Sequence, residues 1–376
     1  MADSHYAPVF ELTRGEIVES IHYGSIAVVD SHAELLAFYG DPFAVTYLRS
    51  SAKPLQLLSF LEEGGQETFQ LTAKEIALMC ASHSGTDDQV EVLRGIQTKA
   101  GVSEADLLCG THPLSHKPTI KAMQERGEPL TSNRHNCSGK HTGMLAYARM
   151  LGVSGENYID PAHPVQVKIR AVFAEMCVMK PEDIPVAIDG CSAPNFATPL
   201  YNAALGIARL CDPESSEPPM TERRRDACHT ITRAMLDYPN MVGGPNSFDT
   251  FLINAGEGKV LTKGGAEGYQ VIGLMKDALY TGSPGVGVAY KISDGDLKSR
   301  GISGGDSRGS VRPAVGLEVL RQLGASTQEI QSSLAEFGPV FPLYNWRRLL
   351  VGEGRPCFHL KFVTSAAPHF PSYSEP

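Results

Sequence analysis

In the stretch Arg49-Ser50-Ser51-Ala52-Lys53-Pro54, a serine stands three residues before a lysine at the start of a predicted helix. Pro54 suits the first turn, and Leu57, Leu58 and Leu61 fall on one inner face, so the helix is expected to begin near Ser50 and Ser51. A Ser-x-x-Lys spacing sets hydroxyl and amine on the same side of one turn. In its neutral form, favoured by burial or a neighbouring cation, the amine can take the hydroxyl proton and leave a nucleophile. The unpaired N–H groups of the helix start can hold an oxyanion. On its own the spacing carries little, because a capped helix followed by a surface lysine reads the same way.

Two further segments change its weight. Ala81-Ser82-His83-Ser84-Gly85-Thr86 is a polar knot after a helix expected over Ala73–Met79, and Lys263-Gly264-Gly265 follows the strand-like Val260-Leu261. Serine β-lactamases and penicillin-binding proteins place Ser-x-x-Lys, Ser-x-Asn and Lys-Thr-Gly in that chain order. Here the order is Ser50-x-x-Lys53, Ser82-His83-Ser84 and Lys263-Gly264-Gly265, the last two approximate. A second pair, Ser82 with Lys263, follows, and Lys263 would favour the neutral form of Lys53 by like-charge repulsion. The set reads as acyl transfer.

Outward from these motifs, both ends of the chain read as strands. Ile17-Val18, Ile26 to Val29 and Leu35-Leu36 are punctuated by Gly15 and Gly24. Phe251-Leu252-Ile253, Val260-Leu261, Val271-Ile272 and Val286 to Val288 do the same later. Between them helical spacing is expected over Pro118–Arg126, Ser138–Leu151, Pro164–Met179 and Arg224–Leu236, with Val311–Leu323 and Thr327–Phe337 following. This order predicts an α/β (α+β) fold with one antiparallel sheet built from both chain ends and an inserted helical lobe. The expected layout is a single catalytic domain over residues 1–365, with a sheet lobe at about 8–50 and 245–365 and a helical lobe at about 51–244. Cys211 to Thr221 reads as a surface loop, Ser299 to Gly309 as a loop or lid, and residues 366–376 as a disordered tail.

Two cysteines sit in polar, glycine-containing segments: Asn136-Cys137-Ser138-Gly139-Lys140-His141 and Asp189-Gly190-Cys191-Ser192-Ala193-Pro194. On a helix, Cys137, Lys140 and His141 share a face. Two thiolates and a nitrogen would make an open three-ligand zinc site, with His141 nominated by spacing. Two unrelated buried thiols, or a thiol nucleophile with His141 as base, remain open readings. Cys80, Cys109 and Cys177 lie in apolar surroundings and read as buried small hydrophobes.

The bulk composition narrows the partners. A formal net charge of −9 argues against nucleic acid, and Arg223-Arg224-Arg225, flanked by acids, reads as a solvated helix face. No apolar run is long enough to span a membrane, and the N-terminus lacks a signal-peptide pattern. Eight cysteines without paired spacing suit a reducing, cytoplasmic setting.

Taken together, the five motifs, with the last extended to Lys263-Gly264-Gly265-Ala266-Glu267-Gly268, resemble the class 3 L-asparaginase family, typified by the inducible rhizobial enzyme. The resemblance runs from about Pro8 to Val351; Cys211 to Thr221 looks like an insertion, and beyond Gly354 the chain has no counterpart. It implies a serine-β-lactamase-like fold, Ser–Lys pairs on Ser50 with Lys53 and Ser82 with Lys263, and a homodimer. It also implies zinc on Cys137, Lys140 and Cys191, against the spacing-based choice of His141. Arg49, Asp189 and His83 would line the substrate pocket, Arg49 facing a carboxylate and Asp189 an ammonium group. The implied activity is hydrolysis of L-asparagine to L-aspartate and ammonia through an acyl-enzyme. Alternatives from the motifs alone are a penicillin-recognising hydrolase with another acyl substrate and a non-catalytic zinc-stabilised binding protein.

Overall fold

The computed structural model of the chain describes residues 5–295 and 309–363. The expected lid over Ser299 to Gly309, apart from its last residue, and the tail from residue 366 lie outside the described residues. Among those described, nine strands form an antiparallel sheet. Its main path runs β10 (Phe341–Tyr344), β11 (Leu350–Pro356), β1 (Ala7–Arg14), β2 (Ile17–Asp30), β9 (Val286–Ile292), β8 (Tyr269–Leu274) and β7 (Val260–Gly264). β3 (Leu35–Tyr39) pairs with the second half of β2, and β12 (Lys361–Phe362) with β3. First and last thirds of the sequence therefore share one sheet, as expected, with helices between them in sequence.

The strand pattern explains how helices cover both faces. Along β2, Ala27 and Val29 belong to one buried cluster and Ile26 and Val28 to the other. Val271 and Ile272 on β8, and Ala289 and Val288 on β9, divide in the same way. This is the period-two alternation of a sheet buried on both sides. The first cluster is completed by the central helices, including Lys53–Glu62, Ser138–Leu151 and Leu200–Cys211; the second by Phe248–Ala255 and Val311–Gln322. The Leu200–Cys211 helix lies so close to β9 that a Cβ on Gly287 would stand 1.9 Å from the Ala204 carbonyl oxygen, which only glycine permits.

A small antiparallel sheet, β4 (Val45–Tyr47), β6 (Pro194–Pro199) and β5 (Val186–Ile188), carries the chain from the large sheet to the Ser50 segment. Three expectations need correction. Phe251-Leu252-Ile253 lies in the helix Phe248–Ala255, not in a strand. Cys211 to Thr221 is more than a surface loop: Cys211, Asp212, Ser216 and Met220 are buried, and Ser216 Oγ accepts from Arg209. Within the arginine run, Arg224 is buried and clamped to Glu62 and Glu175. No helix among the described residues is long and apolar enough to cross a membrane.

Candidate active site

Ser50 is the second residue of a short 3₁₀ helix, Arg49–Ala52, that runs directly into the Lys53–Glu62 helix with Pro54 in its first turn. Arg49 enters it with φ at 52°, a conformation strained for a side-chain-bearing residue, and its N–H donates to Asn195 Oδ1 (3.1 Å). The first N–H satisfied within this turn is that of Ser51, which donates to Leu48 O at 3.1 Å. The turn itself thus supplies no partner for the Ser50 N–H, as is general for the first donors of a helix. Ser51 Oγ donates to the Lys263 carbonyl at 2.8 Å, fastening the turn to β7. Gly265 makes that approach possible, since a Cβ there would meet Leu48 O at 2.5 Å.

Lys53 and Lys263 are each about 1% exposed. Lys53 Nζ donates to Ser82 Oγ at 3.1 Å, to Asn136 O at 3.4 Å and to Ala81 O. The expected pairs are therefore arranged differently: Lys53 bonds Ser82 through its side chain and Ser50 through its main chain, N–H to Ser50 O. Lys263 Nζ donates to Gly264 O (2.7 Å) and lies 3.6 Å from Asp249 Oδ2. Burial pulls the Lys263 ammonium down to about 8, with Asp249 opposing that shift and Lys53 and Arg312 adding to it.

The Ser82 segment is held from both sides. Ser82 N–H donates to Val242 O and His83 N–H to Asn136 O. Gly85 N–H donates to His83 Nδ1 (3.1 Å), which makes Nε2 the protonated nitrogen; it donates to Ser138 Oγ at 2.8 Å. Burial, with Lys53 nearby, drops the His83 imidazole to about 3, so it stays neutral. Both ring nitrogens are thus engaged within the protein. His83 holds the loop, and it also lines a cleft beside Ser82. This cleft, of about 340 Å³, opens on Ser82, Asn136, His112 and Asn246.

Arg49 Nε donates to Asp189 Oδ1 at 2.8 Å, and the same oxygen accepts Gly190 N–H. A guanidinium and a carboxylate thus stand side by side, paired with each other, and Arg49 is the neighbour of Ser50 in sequence. In the next loop, Ser192 turns at φ 71°, and Cys191 meets Cys137 and Lys140. Lys140 Nζ lies 3.2 Å from Cys191 Sγ. A hydrogen bond from Cys191 holds the Cys137 thiol well below its usual range. Burial opposes charge on Lys140, yet the attraction of the Cys191–Cys137 pair, whose negative charge rests on Cys137, raises it above the ordinary lysine value.

Two sulfurs and one amine, all buried and in contact, fit the ligand set that the resemblance implies for zinc. The spacing-based choice, His141, has its Nδ1 bonded to Tyr158 Oη at 2.6 Å, while its buried Nε2 has no hydrogen-bond partner among the described residues. Among the described residues no three His, Cys, Asp or Glu side chains converge on a metal position, so the amine is what would complete the set.

Asp249 was not singled out in the sequence. The signal was present: Ser247 caps the helix by accepting Thr250 N–H, and Asp249 stands in its first turn, a helix-start signature masked by the apolar run that follows.

A model of the family described as L-asparaginase II matches residues 10–356. Among curated proteins none matches significantly. Among solved structures, a Bacillus subtilis glutaminase, YbgJ, in covalent complex with 5-oxo-L-norleucine is 13% identical, covering 72% of this chain and 80% of that one with a TM-score of 0.35. A Bacillus glutaminase crystallised at high salt is 14% identical, covering 83% and 92%, also at 0.35. Likenesses this loose bear on neither substrate nor mechanism.

Proposed function

Starting from a chain that belongs to the L-asparaginase II family and is therefore an amidohydrolase, we propose that it hydrolyses the side-chain amide of L-asparagine, with Ser50 as nucleophile and Lys53 as its base. The observation that carries this reading is the placement of Lys53. Its amine rests on Ser82 Oγ at 3.1 Å, while Ser50 stands three residues earlier on the same turn. In the proposed cycle the amine that bonds Ser82 also serves the Ser50 hydroxyl of its own turn.

In the proposed cycle, Arg49 receives the α-carboxylate of the substrate and Asp189 its α-ammonium, orienting the side-chain amide toward Ser50. Once Lys53 has given up one of the three protons it donates at rest, the free amine takes the Ser50 proton as Oγ attacks the amide carbon, and the Ser50 N–H is the donor available to the oxyanion. The proton returns to the leaving nitrogen through Lys53 and Ser82, the C–N bond breaks, and ammonia departs from a β-aspartyl ester. Water then attacks the ester with Lys53 as base, releasing L-aspartate and Ser50. Lys263, as an ammonium, supports the charge that builds up beside Ser82.

Cys137, Lys140 and Cys191 would hold a zinc ion, whose chemistry when bound is to polarise a water or substrate oxygen. The cycle above does not depend on it. The family resemblance further suggests a homodimer, which sedimentation would test.

The Lys53–Ser82 bond also favours a second reading, in which Ser82 attacks and Ser50 assists. Trapping the enzyme with a diazoketone analogue of asparagine and mapping the adduct by peptide mass spectrometry decides between them. A label on Ser50 is expected; a label on Ser82 transfers the nucleophile there, and a label on neither ends the serine mechanism.

A further inference from the structure

Behind Lys263 lies a buried carboxylate that the cycle above does not use. Asp249 projects from the helix Phe248–Ala255, with its side chain about 10% exposed. Its Oδ2 accepts Gly264 N–H at 2.8 Å and faces Lys263 Nζ at 3.6 Å; its Oδ1 accepts Gln270 Nε2 at 2.8 Å. Gln270 cannot turn over, because its Oε1 accepts from Arg312 Nη1 at 2.7 Å while its Nε2 also donates to Thr262 Oγ1. The site around Asp249 therefore presents donors to both oxygens. Only an ionised carboxylate accepts on both; an amide would turn its own NH₂ against one of them.

We propose that Asp249 is the positioning residue for Lys263: it fixes that lysine as an ammonium at the end of β7 and clamps the backbone of Gly264, whose carbonyl the lysine bonds. The inference rests on the reading of Lys263 as a participant in amide hydrolysis. Gly264 donates its N–H to Asp249 and accepts from Lys263 through its carbonyl oxygen, so lysine, glycine backbone and carboxylate form one closed unit. The charged groups acting on Lys263 come from four other elements: Asp249, Lys53, Arg312 and, from the turn before Ser138, Cys137, with Cys80 beyond them. Among these, Asp249 is the strongest that favours the charged lysine, and Lys53 and Arg312 oppose it. Asp249 in turn is held ionised against its burial by Lys263 and Arg312.

The test uses the full chain. Ammonia release from L-asparagine is followed against pH for wild type, Asp249→Asn, Asp249→Glu and Arg312→Gln, and the Lys263 Cε resonance is titrated in parallel. Asp249→Asn should lower kcat about tenfold or more near neutral pH, with the alkaline limb and the Lys263 titration moving about one unit or more toward acid. Asp249→Glu should return both toward wild type. Arg312→Gln should move both the opposite way, toward higher pH. A folded Asp249→Asn protein whose Lys263 titrates as in wild type overturns the proposal. If that variant does not fold, an unmoved Lys263 titration in Arg312→Gln overturns it instead. Wild type that releases no ammonia would refute the asparaginase reading alone, since the resonance still reports whether Asp249 sets the charge on Lys263.

Discussion

Lys263 and Lys140 are both buried, one 1% and the other 6% exposed, yet their surroundings push their charges in opposite directions. Lys263 faces one carboxylate and two cations, and burial wins, drawing its ammonium down to about 8. Lys140 faces the Cys191–Cys137 pair, whose attraction outweighs burial. Burial alone therefore does not say what a lysine does; the sign and number of its neighbours decide. The first environment suits an ammonium that supports charge near neutrality, the second an amine held beside a thiolate and a thiol, where a metal would displace its proton.

The largest expected effect separates the reacting side from the rest. Ser50→Ala should lower kcat by about 10³-fold or more with the fold unchanged, measured by ammonia release and circular dichroism. Next, Lys263→Met should cost about a hundredfold. The sign of its pH dependence follows from the lowered ammonium: Lys263 is charged below about 8 and neutral above. Activity that needs the ammonium falls as pH rises through that value, and Lys263→Met should lack this limb. A wild-type profile that stays level there would break the contrast drawn between the two lysines.

On the Lys140 side the expected effects are on metal content. Cys137→Ser should lower the zinc retained after dialysis, measured by atomic absorption, whereas Cys177→Ser should not. Burial pushes the Cys177 thiol up to about 12 in an apolar core, where it has no call on a cation. Equal zinc in both variants would remove the special standing of the polar pair. The smallest effect is structural. Thr86 caps the helix Asp87–Ala100 through a reciprocal box with Gln89, next to the Ser82 segment. Thr86→Ala should cost about 1 kcal/mol in denaturant unfolding and leave the alkaline limb of the profile in place.

The same contrast marks how far the residues could be read before folding. Ser50, Lys53, Ser82 and Lys263 could be named as candidates from the Ser-x-x-Lys spacing and the chain order of three short motifs, and the fold brings Lys53 to Ser82. The two-ended sheet was legible from the alternation around Ile26 to Val29 and Val271-Ile272. Partner choice was not. Spacing places Lys53 beside Ser50, but the angle between its helix and the Ser82 loop delivers its amine to Ser82. Lys140 and His141 are adjacent on one helix, and only the folded chain shows the amine against Cys191 and the imidazole against Tyr158. Asp249 was hidden because three consecutive apolar residues fit a buried strand as well as a buried helix. Arg224 likewise could not be told from its exposed neighbours until Glu62 and Glu175 closed around it.

The most direct test of the central claim is ammonia release by wild type, Ser50→Ala and Ser82→Ala from L-asparagine, with L-glutamine and D-asparagine as comparisons. The account predicts stereoselective release from L-asparagine by wild type, none by Ser50→Ala, and a slowed but measurable rate for Ser82→Ala. Undiminished release by a folded Ser50→Ala protein would contradict it.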